Sequence, residues 1–216
     1  MGQIRTVIFD LDGTIIDTEP SAERAIQDSF ASWGVKLQGN DSHAIVGRTW
    51  ESAFNHLFAI YDVPLPRPEA ERAMLSRYRE ELEKHLVVVP GAPEAIRAIA
   101  ARFPIALVSG SHRSEILWAL GKLGVLPLFS VVLGAEDYPR SKPAPDGYAL
   151  ALSKLGLTGS DALIFEDSVA GIASARAVGA RVVAITSTNH FGHDISGAER
   201  SIADLRGVDA EWVATL

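Results

Sequence analysis

A doubly wound α/β core with an all-helical insert is the fold class that this sequence predicts, on three observations. Short apolar runs alternate with helical patterns over most of the chain. One stretch, from about Thr18 to His85, breaks that alternation with helical stripes alone. Polar and charged residues follow the apolar runs, where a parallel sheet gathers its strand ends on one edge.

The first run, Thr6 to Phe9, is β-branched and aromatic, as a strand buried on both faces should be. It breaks into Asp10-Leu11-Asp12-Gly13-Thr14. Three helical stripes follow: Ala22, Ala25, Ile26, Phe30 and Trp33; Trp50, Ala53, Phe54, Leu57 and Tyr61; Ala70, Ala73, Met74, Tyr78 and Leu82. A proline-rich loop, Val63 to Pro68, lies between the second and third. Val89-Pro90-Gly91-Ala92-Pro93 marks the return to alternation. The chain then predicts strands at Ile105–Val108, Val131–Leu133, Ala162–Phe165 and Val182–Ile185. Helical faces lie among them at Ala95, Ile96 and Ile99, at Ile116, Leu117 and Leu120, at Tyr148, Leu152 and Leu155, and at Ile172, Ala175 and Val178. The expected division is a core of residues 1–16 and 86–216 and a helical unit of 17–85. Both crossings fall near the polar edge, where an insert can serve as a lid.

Bulk composition narrows the function classes. Of 216 residues 47% are hydrophobic, enough for a sizeable core. A formal net charge of −7 excludes a basic nucleic-acid footprint. With no cysteine there can be no disulfide, thiolate nucleophile or thiolate metal site, and a reducing compartment suits such a chain. The longest apolar runs are of strand length, so no membrane span is expected. Met1-Gly2-Gln3-Ile4-Arg5 leads directly into the first strand without a secretory leader pattern, and a cytoplasmic monomer is the expectation.

The chemistry is in the strand-end residues. Asp10 and Asp12, one residue apart at the end of a buried strand, are costly unless their charge is used. A divalent cation is the simplest user, because it prefers hard oxygen ligands. Ser109-Gly110-Ser111 follows the second predicted strand, Lys142 lies beyond the third, and Glu166-Asp167-Ser168 follows the fourth. Singly each has an ordinary explanation: turn residues, an N-cap, a solvated lysine. Jointly, acids for a metal with a lysine, hydroxyls and backbone amides for phosphate oxygens describe a phosphate site.

With these motifs the chain resembles the haloacid-dehalogenase superfamily of phosphohydrolases, in the subgroup with a helical cap after the first motif. The resemblance covers essentially the whole chain. Its motifs are Asp10-Leu11-Asp12-Gly13-Thr14, Ser109, Lys142 in Lys-Pro-Ala-Pro-Asp, and Glu166-Asp167-Ser168 with Gly171. The second acid, Asp12, is similar to the phosphatases and mutases rather than the dehalogenases. The resemblance implies a Rossmann-like core and an aspartyl-phosphate mechanism. Asp10 would be the nucleophile and Asp12 the general acid and base. Ser109 and Lys142 would hold the phosphoryl oxygens. Mg2+ would be bound by Asp10, the backbone carbonyl of Asp12, Asp167 and, directly or through water, Glu166. A nucleophilic aspartate is ionised at neutral pH and needs no activating base, so no histidine is required. His112 remains a candidate substrate neighbour; the other histidines read as ordinary.

The implied substrate is a small phosphorylated metabolite, first a sugar or polyol phosphate and next phosphoglycolate. Gly110, Ser111, Glu19, Gly47, Arg48 and Thr49 are the candidate substrate-binding residues. Val46-Gly47-Arg48-Thr49 looks like a sugar-phosphate specificity loop. A β-phosphoglucomutase-type mutase is the alternative. Its histidine after the first motif and its arginine for a distal phosphate fall at Ala22 and Trp50 here, which favours hydrolysis. A two-component receiver would place its paired acids before the phosphorylated one and lack the insert. A silent binding protein would be expected to lose Asp10, Asp12 or Asp167.

Overall fold

The structure, a computed structural model, describes residues 3–43 and 50–216. The chain divides into two compact units, Met1–Ile16 with Val88–Leu216, and Asp17–Val87. The outgoing and returning segments pair as two short strands, β2 (Ile16–Asp17) and β3 (Val87–Val88), so Leu86 and Val87 go with the helical unit.

The larger unit is built on a six-stranded sheet. Its strands are β1 (Thr6–Phe9), β4 (Ile105–Val108), β5 (Phe129–Leu133), β6 (Ala162–Glu166), β7 (Arg181–Ile185) and β8 (Arg200–Ile202), in the order β5-β4-β1-β6-β7-β8. Every pairing is parallel. From β1 the chain steps outward through β4 to β5, then returns to β6 on the other side of β1. That reversal opens a crevice beyond the C-terminal ends of β1, β4 and β6.

Residues of β1, β4 and β6 are buried throughout, as strands covered on both faces must be. Phe9 stacks on Phe165 at 5.2 Å between ring centroids. Helices α4 (Ala92–Ala100), α5 (Arg113–Lys122), α6 (Asp146–Leu155), α7 (Val169–Ala177) and α8 (Ala210–Ala214) belong to this unit. One helical face departs from expectation. Leu117 is exposed, and α5 turns Ile116, Ala119 and Leu120 inward instead. The sequence does not predict β8, because Arg-Ser-Ile on an exposed sheet edge carries no apolar period.

The second unit holds α1 (Glu19–Ser32), α2 (Trp50–Ile60) and α3 (Arg67–Lys84) around a core of Ile26, Phe30, Ala53, Phe54, Leu57 and Met74. The three predicted stripes supply all of it. Among the described residues no helix is long and apolar enough to cross a membrane.

Candidate active site

Four loops of the larger unit bring polar groups to the C-terminal edge of the sheet. β1 delivers Asp10, whose amide donates to Phe165 O at 3.0 Å and keeps the chain in strand register. The turn beyond it is closed by Gly13 N–H to Ile16 O at 2.7 Å. Gly13 adopts φ +85°, and a Cβ there would lie 2.1 Å from Asp167 Oδ2. Only glycine provides both that conformation and room for the carboxylate.

The Lys142 ammonium is the centre of the site. It donates to Asp10 Oδ1 and Glu166 Oε1, each at 2.5 Å, and to Val108 O at 3.3 Å. Its nitrogen lies 5.0 Å from the centroid of the Tyr148 ring. Burial opposes the lysine charge, but Asp10 and Glu166 outweigh it and hold the pKa well above the ordinary lysine value.

Glu166 is fully buried and fully engaged. Oε1 accepts from Lys142 and, at 2.7 Å, from the Tyr148 hydroxyl. Oε2 accepts from the Asp167 and Ser168 amides at 3.1 and 3.2 Å and from Ser168 Oγ at 3.0 Å. Burial alone would raise its pKa; Lys142 and these donors reverse the shift and lower it. Ser168 Oγ also accepts from Gly171 N–H at 3.0 Å, capping α7. A Cβ on Gly171 would lie 1.8 Å from Glu166 Oε1.

Asp12 turns toward β4. Its Oδ2 accepts from Ser109 Oγ at 3.1 Å and from Ser111 Oγ at 2.7 Å. Ser109 Oγ accepts from the Ser111 amide at 2.9 Å, and Tyr138 donates to Ser109 O at 2.7 Å. The Asp12 carboxylate is thus held by hydroxyls rather than by Lys142, while its charge still acts on Asp10 and Asp167.

Asp10, Glu166 and Asp167 each place a carboxylate oxygen within 4.8 Å of the others. Among the described residues Lys142 is the one cation paired with this cluster. Burial, with Glu166 and Asp12, outweighs Lys142 and raises Asp10 to about 8. Burial, Glu166 and Asp10 raise Asp167 well above the ordinary carboxylate value. Such a set of hard oxygens with surplus negative charge fits a small divalent cation. Because Glu166 already takes five hydrogen bonds, Asp10 and Asp167 are its more available donors.

A family model described as haloacid dehalogenase-like hydrolase matches residues 4–179. The chain belongs to this family. CbbY of Rhodobacter capsulatus is 32% identical over 99% of both chains. Validoxylamine A 7'-phosphate phosphatase of Streptomyces hygroscopicus subsp. limoneus is 31% identical over 94% of this chain and 95% of its own. A longer relative, the bifunctional riboflavin kinase/FMN phosphatase of Arabidopsis thaliana, is 29% identical over 95% of this chain, which spans 54% of its length. The fold matches that of CbbY from Rhodobacter sphaeroides, solved in complex with phosphate, at a TM-score of 0.83 and 23% identity, over 99% and 100% of the two chains.

On this family fold the geometry brings together Asp10, Asp12, Ser109, Ser111, Lys142, Glu166 and Asp167. Gly110 is exposed beside them. Glu19 opens α1 in the helical unit, its amide donating to Asp17 Oδ1 at 3.3 Å. Gly47, Arg48 and Thr49 lie outside the described residues. His112 is exposed, with Nδ1 2.9 Å from Glu136 Oε1, and His190 and His193 belong to no metal-ligand cluster found among the described residues. In the sequence Tyr148 belongs to an apolar helix face, and nothing in its spacing marks a hydroxyl aimed at Glu166. Tyr138 and Thr188 carried no signal either, since their partners are 29 and 175 residues away.

Proposed function

We propose that the chain is a Mg2+-dependent phosphomonoester hydrolase of the cytoplasm that works through an aspartyl-phosphate at Asp10. One observation carries the reading: the ammonium of Lys142 holds one oxygen of Asp10, inside a three-acid cluster at the sheet edge. That contact fixes the carboxylate and leaves its second oxygen to act.

Asp10 and Asp167, with the backbone carbonyl of Asp12, would hold the cation; Glu166 would act from behind them. A bound Mg2+ supplies positive charge that lowers the repulsion between a carboxylate and a phosphate. Asp10, which would give up its proton on binding the cation, attacks phosphorus as the carboxylate, forming the Oδ–P bond as the P–O bond to the leaving alcohol breaks. Asp12, in its protonated form, gives its proton to that oxygen. The Asp12 carboxylate then takes a proton from water as the water oxygen attacks phosphorus. The Asp10–phosphorus bond breaks, releasing inorganic phosphate. Lys142 and Ser109 steady the phosphoryl oxygens. Ser109 Oγ points at Asp12 in this structure, so its hydroxyl must rotate to take that part.

The substrate class is a small sugar or polyol phosphate, supported by relatives of nearly the same length, one of them named as a 7'-phosphate phosphatase. Hydrolysis rather than isomerisation is supported by the helical unit. Trp50 packs against Tyr78 and Phe54, at 5.0 and 5.4 Å between centroids, and Ala22 is buried. Neither supplies a cation for a second phosphate.

A generic aryl phosphate with and without Mg2+ tests the activity, and a panel of phosphorylated metabolites the substrate. Metal-dependent phosphate release is expected; a folded protein without turnover on either would overturn the reading. β-Glucose 1-phosphate with its bisphosphate activator separates the alternatives. Isomerisation faster than phosphate release would replace the hydrolase with a mutase.

A further inference from the structure

The loop after β7 makes one contact that the mechanism above does not use. Thr188 Oγ1 donates to Gly13 O at 2.6 Å, across 175 residues of chain. Thr188 is buried. Gly13 is the residue on whose bare α-carbon the Asp167 carboxylate rests. The same glycine directly follows Asp12, and its amide, which shares a peptide plane with the Asp12 carbonyl, donates to Ile16 O at 2.7 Å. The hydroxyl ties to the β7 loop a turn that Gly13 N–H to Ile16 O closes from within.

Thr188 is itself held from behind. Thr186 N–H donates to Ile202 O and Ser187 N–H to Ala203 O, both at 2.9 Å, extending the β7–β8 pairing into the loop. On its far side Asn189 closes the loop, accepting from His193 N–H at 2.8 Å and donating to His193 O at 2.9 Å. The edge strand β8, which has no residue in the acid cluster, is what makes this hydroxyl a fixed point.

We propose that Thr188 is a positioning residue for the cation site: it clamps Gly13 so that Asp167 and the Asp12 carbonyl meet the metal together. The inference rests on the metal reading given under Proposed function. Groups that orient metal ligands typically change affinity by roughly 10- to 100-fold when removed. A single neutral hydroxyl acting through the backbone belongs at the lower end, about 10-fold.

The test is Mg2+ binding by calorimetry without substrate, with the half-saturating Mg2+ concentration in aryl phosphate turnover and the metal-free melting temperature. Thr188→Val removes the hydroxyl at nearly constant volume, and Thr188→Ser restores it. The expected result is about 10-fold weaker binding for Thr188→Val, turnover recovered at saturating Mg2+, and wild-type affinity for Thr188→Ser. A lower melting temperature for Thr188→Val with unchanged Mg2+ affinity would make the contact merely structural and overturn the proposal. Should Thr188→Val not fold, Thr188→Cys, with its weak S–H donor, decides the matter. Intermediate affinity supports the clamp, and wild-type affinity refutes it. Failure of the wild-type protein to bind Mg2+ would instead sink the metal reading itself.

Discussion

Replacing Lys142 by methionine removes the ammonium from between Asp10 and Glu166 while leaving a stem of similar length against Tyr148. Both broken contacts are 2.5 Å long, and the carboxylate partners are almost wholly buried. Removing one partner of a buried pair costs about 3–5 kcal/mol, because the other charge stays behind. Here the lower end applies. Glu166 keeps Tyr148, two amides and Ser168 Oγ as donors, so its charge is not left bare. A loss of about 3 kcal/mol in a chain of this length corresponds to roughly 6–12 °C in melting temperature. The assay is thermal unfolding in EDTA at pH 7 and again at pH 5. The deficit should narrow at pH 5, where protons neutralise the uncompensated acids, and added Mg2+ should raise the melting temperature of the variant by replacing the missing charge. Turnover should fall about 10²–10³-fold, as for loss of a donor to a developing anion. A variant melting within a degree of wild type at pH 7 would refute the reasoning, since Lys142 could not then be compensating buried acids.

Three further outcomes follow from the same cluster. Metal-free protein should lose stability between pH 5 and 8: the folded pKa of Asp10 lies above its unfolded value, so folding requires a proton that becomes scarcer as pH rises. Glu166 has the opposite sign, but its folded pKa lies below 4.5 and outside that window; denaturation in EDTA checks this, and stability rising over the range would contradict it. Mg2+ affinity should increase over the same interval because Asp10 and Asp167 must give up protons to bind, which calorimetry at pH 5.5 and 8 will read. Gly171→Ala should destabilise the protein by about 1–3 kcal/mol and reduce turnover, since its Cβ would lie 1.8 Å from Glu166 Oε1 and displace the carboxylate that steadies Lys142; urea unfolding beside kinetics measures both.

The fold was legible wherever burial writes a pattern. β1, β4, β6 and β7 are apolar runs because both faces are covered, and the helical unit shows in three 3.6-period stripes. β8 was invisible because an exposed edge strand needs no apolar face. Among site residues, Asp10, Asp12, Glu166 and Asp167 stood out because acids beside buried strands demand a reason. Lys142 came from its motif context, and its meeting with Asp10 across 132 residues is a product of the fold. In the sequence Glu166 is a candidate metal ligand, direct or through water, and only the structure shows both of its oxygens occupied by donors. Thr188 and Tyr148 are ordinary residues in the sequence, and each matters through one hydroxyl whose partner is set by tertiary packing.

The covalent step on Asp10 is the central claim, and acid quenching of turnover with a radiolabelled phosphomonoester tests it most directly. The account predicts label on the peptide carrying Asp10, dependent on Mg2+, and neither label nor phosphate release from Asp10→Asn. Label on another residue, or phosphate release by Asp10→Asn at the wild-type rate, would contradict it.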